Sequence, residues 1–455
     1  MRDLTRGPVT KTLVSLTLPT AAGMLFQTLY LLVDLYFVAG LGEAAVAGVG
    51  AAGTLMFMVM ALTQILGVST VAMMSHAVGR KEQGEANLVF NQSMFISILM
   101  GIATLVLGLA CADLYMSGIA ADEATHREGT IFLYWFIPGM ALHFALVCMS
   151  SALRATGIVK PGMVVQVLTV LLNTILAPVL IAGWGPGPAL GVMGAGLASS
   201  ISVTVGVLML VFYFNKFERY VRFDFSQWRP DFAVWRRILT IGLPAGGEML
   251  LMFVYFGLVY VLIQEFGPEA QAGFSVGGRI MQSIFMPTMA ISFAIGPMVG
   301  QNFGAHNPSR VREIFRSGIL VGSVVMLFVT IFMQVNPWIL VRFFTPDEAV
   351  ITIAGEFLKL TSLNFIAQGI VFSCSGMFQG LGNTRPAMMS SAFRLALFIP
   401  LAFLVAQREG FVIHDIWYVS VFSVWAQAIA SVLLVRRELD LKLGKIGQVS
   451  RATAE

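Results

Sequence analysis

LVSLTLPTAAGMLFQTLYLLVDLYFVAG, Leu13–Gly40, is the stretch from which the rest of the chain is read. It is apolar for longer than the roughly 20 residues that cross a bilayer core. One carboxylate, Asp34, stands well inside it. At helical spacing Gly23, Gln27, Tyr30, Asp34 and Phe37 share a face that is small, polar and aromatic, while the other positions are mostly Leu, Val and Met. An acid at mid-membrane depth costs about 2.5–3.5 kcal/mol even on lenient insertion scales, so such residues face a water-filled cavity and bind something. Pro19 offers the same helix a bend point.

The composition agrees. The chain is 57% hydrophobic and 11% charged, against about 45–50% and 25% in soluble domains. That is a polytopic protein of the lipid bilayer. The net charge of +4 calls for no nucleic-acid partner, because the cations cluster in loops. Cys111, Cys148 and Cys374 lie in apolar segments, with neither metal spacing nor a disulfide framework. The opening MRDLTRGPVTK and its apolar run imitate a signal peptide. The run is too long for an h-region and has no small-residue cleavage site in its middle, so it reads as a retained first helix. There is no Walker A motif, so ATP is not the direct energy source. The spans hold no His–acid cluster, metal spacing or Ser–Lys dyad, which argues against an intramembrane enzyme. No cofactor is expected.

Hydropathy gives twelve candidate spans: 13–39, 46–74, 89–115, 129–153, 162–183, 190–214, 237–264, 271–299, 315–340, 354–378, 387–406 and 412–435. With the N-terminus inside, 22 of the 28 Lys and Arg residues fall in cytoplasmic segments. Only Arg127, Arg342 and Arg408 fall outside, and Arg279, Lys359 and Arg394 fall within spans. This asymmetry places both termini in the cytoplasm.

An internal repeat emerges at an offset of 225 residues, without gaps. Leu18-Pro19 meets Leu243-Pro244, Gly42 meets Gly267, Gly48 meets Gly273 and Gly79 meets Gly304. Phe132-Leu133 meets Phe357-Leu358, Ser150 meets Ser375, Gly157 meets Gly382 and Pro161 meets Pro386. Each half has six spans, an even number, so the halves are parallel repeats, and transporters of that design bind substrate between them. The expected fold is therefore an all-α membrane protein of twelve transmembrane helices in two six-helix lobes around a central cleft. The expected boundaries are a lobe over 1–214, a linker over 215–237, a lobe over 238–436 and a polar, loosely ordered cytoplasmic tail over 437–455. The linker NKFERYVRFDFSQWRPDFAVWRR reads either as an interfacial segment on the cytoplasmic leaflet or as a basic loop with aromatic anchors. The halves differ in chemistry: Asp34 pairs with Val259, Asn173 with Phe398, Gly23 with Glu248 and Thr169 with Arg394. A purely structural repeat has no need of that difference. It suggests that one lobe handles a coupling ion.

Glu248 falls near midplane, where it neutralises a cationic substrate or pairs with Arg279 or Arg394. Gln282 and Gln368 are candidates to line the cleft beside Gln27 and Tyr30. Arg279 and Arg394 read as structural.

Taken together, LTLP at 16–19, VDLYFVAGLG at 33–42, LLNTILAP at 171–178, LGVMGAGLAS at 190–199, IGLP at 241–244, GRIMQS at 278–283, GQNFGAHNPSR at 300–310, QGLGNTRP at 379–386 and RLALFIPLAF at 394–403 resemble the multidrug and toxic compound extrusion family. Within it, the look is nearer the branch of DNA-damage-inducible protein F than that of the norfloxacin exporters. The resemblance implies two six-helix lobes and efflux of small cationic or amphipathic compounds in exchange for H⁺ or Na⁺, with H⁺ the first choice. It matches the family's first-helix acid to Asp34, its fifth-helix Asn to Asn173 and its fourth-helix Tyr to Tyr134. Ser199 replaces a sixth-helix Thr. The usual Asn-x-x-x-Asp-Pro pattern is broken, since Ala177 precedes Pro178. If the ion is Na⁺, Asp34 and Asn173 are its ligands. Glu248 lies nearer Pro244 than the seventh-helix acid of some branches. A monomer in a bacterial plasma or inner membrane is expected. A lipid-linked saccharide or lipid flippase of the same superfamily is the alternative. A channel fits the broken symmetry less well than a carrier.

Overall fold

The computed structural model describes residues 1–184 and 187–452, with the side chains of 28–35 and 445–452 outside the described set. The first half holds α1 (Val9–Ala39), α2 (Glu43–Gly79), α3 (Gln83–Ile119), α4 (Glu123–Ala155), α5 (Lys160–Ile181) and α6 (Val192–Lys216). The second holds α7 (Phe232–Leu262), α8 (Pro268–Gly304), α9 (Pro308–Val335), the short α10 (Trp338–Val341), α11 (Glu348–Thr361), α12 (Phe365–Gly380), α13 (Arg385–Ala406) and α14 (Ile413–Ala452). Twelve stretches are long and apolar enough to cross a membrane, with α11 and α12 forming one of them through a 3₁₀ turn at Ser362–Asn364. The chain is an all-α integral membrane protein.

The repeat is visible in the backbone. Each half's first turn bends at a glycine of positive φ, Gly42 at 111° and Gly267 at 90°. α2 and α8 end alike: Lys81 and His306 take φ of 63° and 55°, and the next amides reach back, Glu82 N to Ala77 O and Asn307 N to Asn302 O, both 2.9 Å. This left-handed close satisfies carbonyls that a helix end leaves orphaned. α4 and α12 end on Gly157 and Gly382, again at positive φ. The starts of α4 and α11 share an aspartate cap. Asp122 accepts from Thr125 N at 2.7 Å, and Asp347 accepts from Ala349 N at 2.9 Å. Backbone hydrogen bonds at these sites hold the carboxylate of Asp122 below its ordinary range.

Two compact units result, and they do not follow chain order at their first helices. One unit is Met1–Asp3 with Ala22–Gly242; the other is Leu4–Ala21 with Leu243–Glu455. Each first helix changes unit next to its proline, Pro19 in α1 and Pro244 in α7. The reason α1 begins in the second unit is a clasp. Leu4 is 0% exposed; its N–H donates to Gln301 Oε1 at 3.0 Å and its carbonyl accepts from Asn302 Nδ2 at 3.1 Å. Arg310 Nη2 donates to the carbonyls of Arg6 and Gly7. α7 begins in the first unit for a packing reason. Val234 and Ile238 join that unit's apolar core, and Gly242 lies so near Ile65 that an added Cβ would stand 2.3 Å from a backbone oxygen.

The first unit's core stacks Phe90 on Phe214 at 4.9 Å; the second's stacks Phe274 on Trp417 at 5.7 Å. The segment between α6 and α7 is tied to α3 by three buried amides, Asn87, Asn91 and Gln92. They bond the backbone of Arg222, Asp224, Arg229 and Asp231 and the indoles of Trp228 and Trp235. The stretch after Arg436 departs from the expected loose tail. α14 runs on through it, with Leu439 and Leu443 buried and Lys442 Nζ donating to Leu381 O at 2.6 Å.

Candidate functional site

In the first unit, the polar face of α1 meets α5. Gln166 Nε2 donates to Gln27 Oε1 at 3.0 Å across 139 residues of chain. Gly23 makes room for this, because a Cβ there would stand 2.8 Å from Gln166 Oε1. Moving along α1 from Gly23 to Gln27 moves along α5 from Met163 to Gln166, so the two helices run in parallel here. Two helical turns further on stand Asp34 on α1 and Asn173 on α5. The side chains of Asp34 and Tyr30 lie outside the described residues.

Asn173 is 1% exposed. Both of its amide atoms are buried without a hydrogen-bond partner among the described residues. A buried amide is ordinarily paired, since leaving one unpaired costs about 1–3 kcal/mol per group. Four residues on, Ala177 is buried as well and brings no carboxylate. α6 packs on α5 through Gly206 beside Thr169 and Gly194 beside Leu180. Asn173 therefore sits level with Ser199–Ser202. Ser199 is buried. Tyr134 on α4 is 43% exposed, outside this buried rung. Four residues past it, Pro138 lacks an amide hydrogen, and the next helical bond is spliced. Gly139 N donates to Ser200 Oγ at 3.0 Å, and Ser200 Oγ donates on to Trp135 O.

In the second unit, Glu248 on α7 is half-buried. Its Oε2 accepts from Ser375 Oγ at 3.1 Å, and Gln379 Nε2 donates to that hydroxyl at 3.4 Å. Gly247 leaves space that Met388 occupies. The alternative pairing of Glu248 with Arg279 or Arg394 is not formed among the described residues. Gln368 is half-buried and Gln282 exposed, and no described hydrogen bond joins either to the Glu248 chain. Arg394 on α13 holds no helix end. Its Cζ lies 4.0 Å from the ring centre of Tyr255 on α7, whose hydroxyl pairs with Ser420 Oγ at 2.6 Å. No described group of three or more His, Cys, Asp or Glu side chains could hold a metal ion.

Sequence reasoning passed over Gln166 and the stacking of Arg394. Gln166 lies one α5 spacing of seven residues before Asn173, which is the signal that could have found it.

Comparison with known proteins gives one family. The MatE profile matches residues 19–179 and again 244–404, one match to each half. "Multidrug export protein MepA" of Staphylococcus aureus is 26% identical over 410 residues, covering 89% of each chain. Its counterpart in Staphylococcus haemolyticus is 25% identical over 404 residues, with 88% of each covered. Among solved structures, a MOP superfamily transporter from Pyrococcus furiosus, described as having a binding pocket of reverse polarity, superposes with a TM-score of 0.91. It is 24% identical and covers 97% of this chain and 98% of its own. The last two figures concern the fold alone. With both repeats matched, the chain belongs to the MatE family of multidrug and toxic compound extrusion proteins: it is a membrane transporter and not an enzyme.

Proposed function

We propose that the chain is a secondary active exporter of small cationic or amphipathic organic compounds, exchanged for H⁺, with Na⁺ as the second choice, and that its two lobes alternate in access. The observation that carries this reading is Asn173: a fully buried amide with no described partner, on the helix that the Gln27–Gln166 bond sets in parallel beside α1. Asp34 is the coupling acid in this reading. A carboxylate there holds either a proton or a cation, and a cation arriving nearby favours release of the proton. Asn173 and Ser199 supply neutral oxygens, and Gln27 and Tyr30 continue the polar face of α1. Glu248 meets the cationic end of a substrate in the second unit, with Gln282 and Gln368 as further lining. The multidrug export role of the MepA relatives supports the export part of this reading. We place the protein as a monomer in a bacterial plasma or inner membrane with both termini cytoplasmic, as the distribution of Lys and Arg favours.

The test uses purified protein in liposomes loaded with a cationic dye, with pH and sodium gradients imposed separately on wild type and Asp34→Asn. Dye movement driven by the pH gradient alone, and absent from Asp34→Asn, is expected. Movement driven by sodium alone makes Asp34 and Asn173 metal ligands. Equal behaviour of wild type and variant would remove Asp34 from the mechanism.

A further inference from the structure

Between α6 and α7 a seven-residue unit occurs twice in succession. RFDFSQW, 222–228, is followed at once by RPDFAVW, 229–235. Both read Arg-x-Asp-Phe-x-x-Trp. The structure shows that α3 grips the two units by the same three bonds, through one buried amide each. In the first, Asn91 Nδ2 donates to Arg222 O at 3.0 Å, and Asn91 Oδ1 accepts from Asp224 N at 2.9 Å and from Trp228 Nε1 at 3.0 Å. In the second, Gln92 Nε2 donates to Arg229 O at 2.8 Å, and Gln92 Oε1 accepts from Asp231 N at 3.1 Å and from Trp235 Nε1 at 2.7 Å. Each aspartate then turns back on its own unit and accepts from the amide two residues on, Ser226 N or Ala233 N, at 3.0 Å.

What the grip leaves free is also the same in both units: one arginine and one phenylalanine. Phe225 and Phe232 are each 74% exposed. Arg222 and Arg229 are exposed, and neither is in an ion pair among the described residues. The rings form one row. Phe225 lies 4.9 Å from Trp228, Trp228 6.2 Å from Phe95 of α3, Phe95 5.8 Å from Trp235, and Trp235 5.7 Å from Phe232, centre to centre. The middle of the row rests on a membrane-spanning helix and its two ends are bare. Folding alone does not account for two bare aromatic ends on a segment held this firmly, because burying them would have been favourable.

The surroundings say what covers them. The segment begins and ends on spanning helices, α6 and α7, which keeps it at the depth where those helices leave the bilayer. At that depth lie phosphate oxyanions and, just below them, the start of the acyl chains. A guanidinium fork matches phosphate oxygens, and aromatic side chains beside arginines suit the headgroup boundary. The acids of the two units do not compete, since both carboxylates are occupied by backbone amides.

We infer that the two units are tandem anchors for anionic phospholipid in the leaflet they meet: in each, the arginine takes a headgroup phosphate and the phenylalanine enters the boundary below it. This goes beyond the exporter reading and does not depend on it. A net anionic headgroup suits the units better than a zwitterionic one, whose ammonium would face the same arginine.

The test is native mass spectrometry of the full chain, released from micelles holding known amounts of phosphatidylglycerol or phosphatidylcholine, which yields stepwise dissociation constants. The double variant Arg222→Gln/Arg229→Gln is expected to weaken the first two phosphatidylglycerol constants about fivefold each, the increment one arginine supplies at an anionic surface, with phosphatidylcholine unchanged. Unchanged phosphatidylcholine binding also shows that this variant is folded. Phe225→Ser/Phe232→Ser is expected to weaken both lipids, because a ring reads no headgroup. Arg316→Gln/Arg385→Gln removes the same charge from exposed positions in the second unit and should bind like wild type. Phosphatidylglycerol constants that stay at the wild-type value in the Arg222→Gln/Arg229→Gln variant overturn the inference. So does equal weakening in Arg316→Gln/Arg385→Gln, which would make net charge the whole effect. Unchanged constants in the phenylalanine variant remove the anchor. Inorganic phosphate that displaces the lipid from wild type, and not from Arg222→Gln/Arg229→Gln, would make the units a free-anion site and defeat the lipid assignment.

Discussion

In the first unit Gln27 meets Gln166; in the second Tyr255 meets Arg394. Both pairs stand 139 residues apart. The repeat has kept the register of α1 on α5 and of α7 on α13 and replaced what the register brings together. One seam holds uncharged amides, with Asp34 and Asn173 again 139 residues apart. The other holds a cation, a phenol and, at Asn173's equivalent position, Phe398, fully buried. The comparison teaches that the frame determines where side chains meet and leaves open what they are. A duplicated frame can therefore carry different chemistry in its two seams.

The largest effect expected from breaking this contrast is Phe398→Asn, which installs the first unit's amide in the second. It deletes an aromatic from a packed cluster and should destabilise by about 3–5 kcal/mol, read as a fall in melting temperature in detergent. Asn173→Leu is the converse exchange. It removes a buried amide with no described partner, so stability should hold or rise by about 1–3 kcal/mol, while gradient-driven export collapses. A variant that is both less stable and fully active would show that the amide is satisfied and idle. Ser375→Ala, which takes a donor from Glu248, should cost at most about 1.7 kcal/mol, the upper range for such interhelical bonds. It should weaken binding of a cationic dye less than Glu248→Gln does. Gln27→Leu should be the mildest, about 0.6 kcal/mol, with the loss confined to the first unit's thermal transition.

Most of the architecture was legible in the chain. Twelve spans followed from hydropathy. The repeat surfaced at glycines and prolines because the backbone demands those residue types where φ is positive or a helix bends, as at Gly42 and Gly267 or Pro19 and Pro244. The matching turns at Lys81 and His306 escaped notice because nothing in those two side chains advertises a left-handed residue. Asn173 was singled out through family resemblance, and its burial is a property of packing. The Tyr255–Arg394 stack needed the register of two helices distant in sequence, which periodicity within either helix does not contain. The buried amides of α3 were hidden for the same reason. Asn87, Asn91 and Gln92 look like ordinary polar residues at a helix start until the segment they bind is in place.

The clasp on Leu4 also bears on how the protein is made. Asn302, which receives Leu4, is synthesised 298 residues after it. At about 5–20 residues per second this is a wait of roughly 15–60 s. Through that interval the opening half of the first membrane helix lacks this partner, because the rest of its own unit begins only at Leu243. The chain's beginning is thus among the last parts to settle. Neither half of the gene encodes a self-sufficient half of the protein, and a product cut anywhere before Gln301 would leave its N-terminus exposed to membrane quality control.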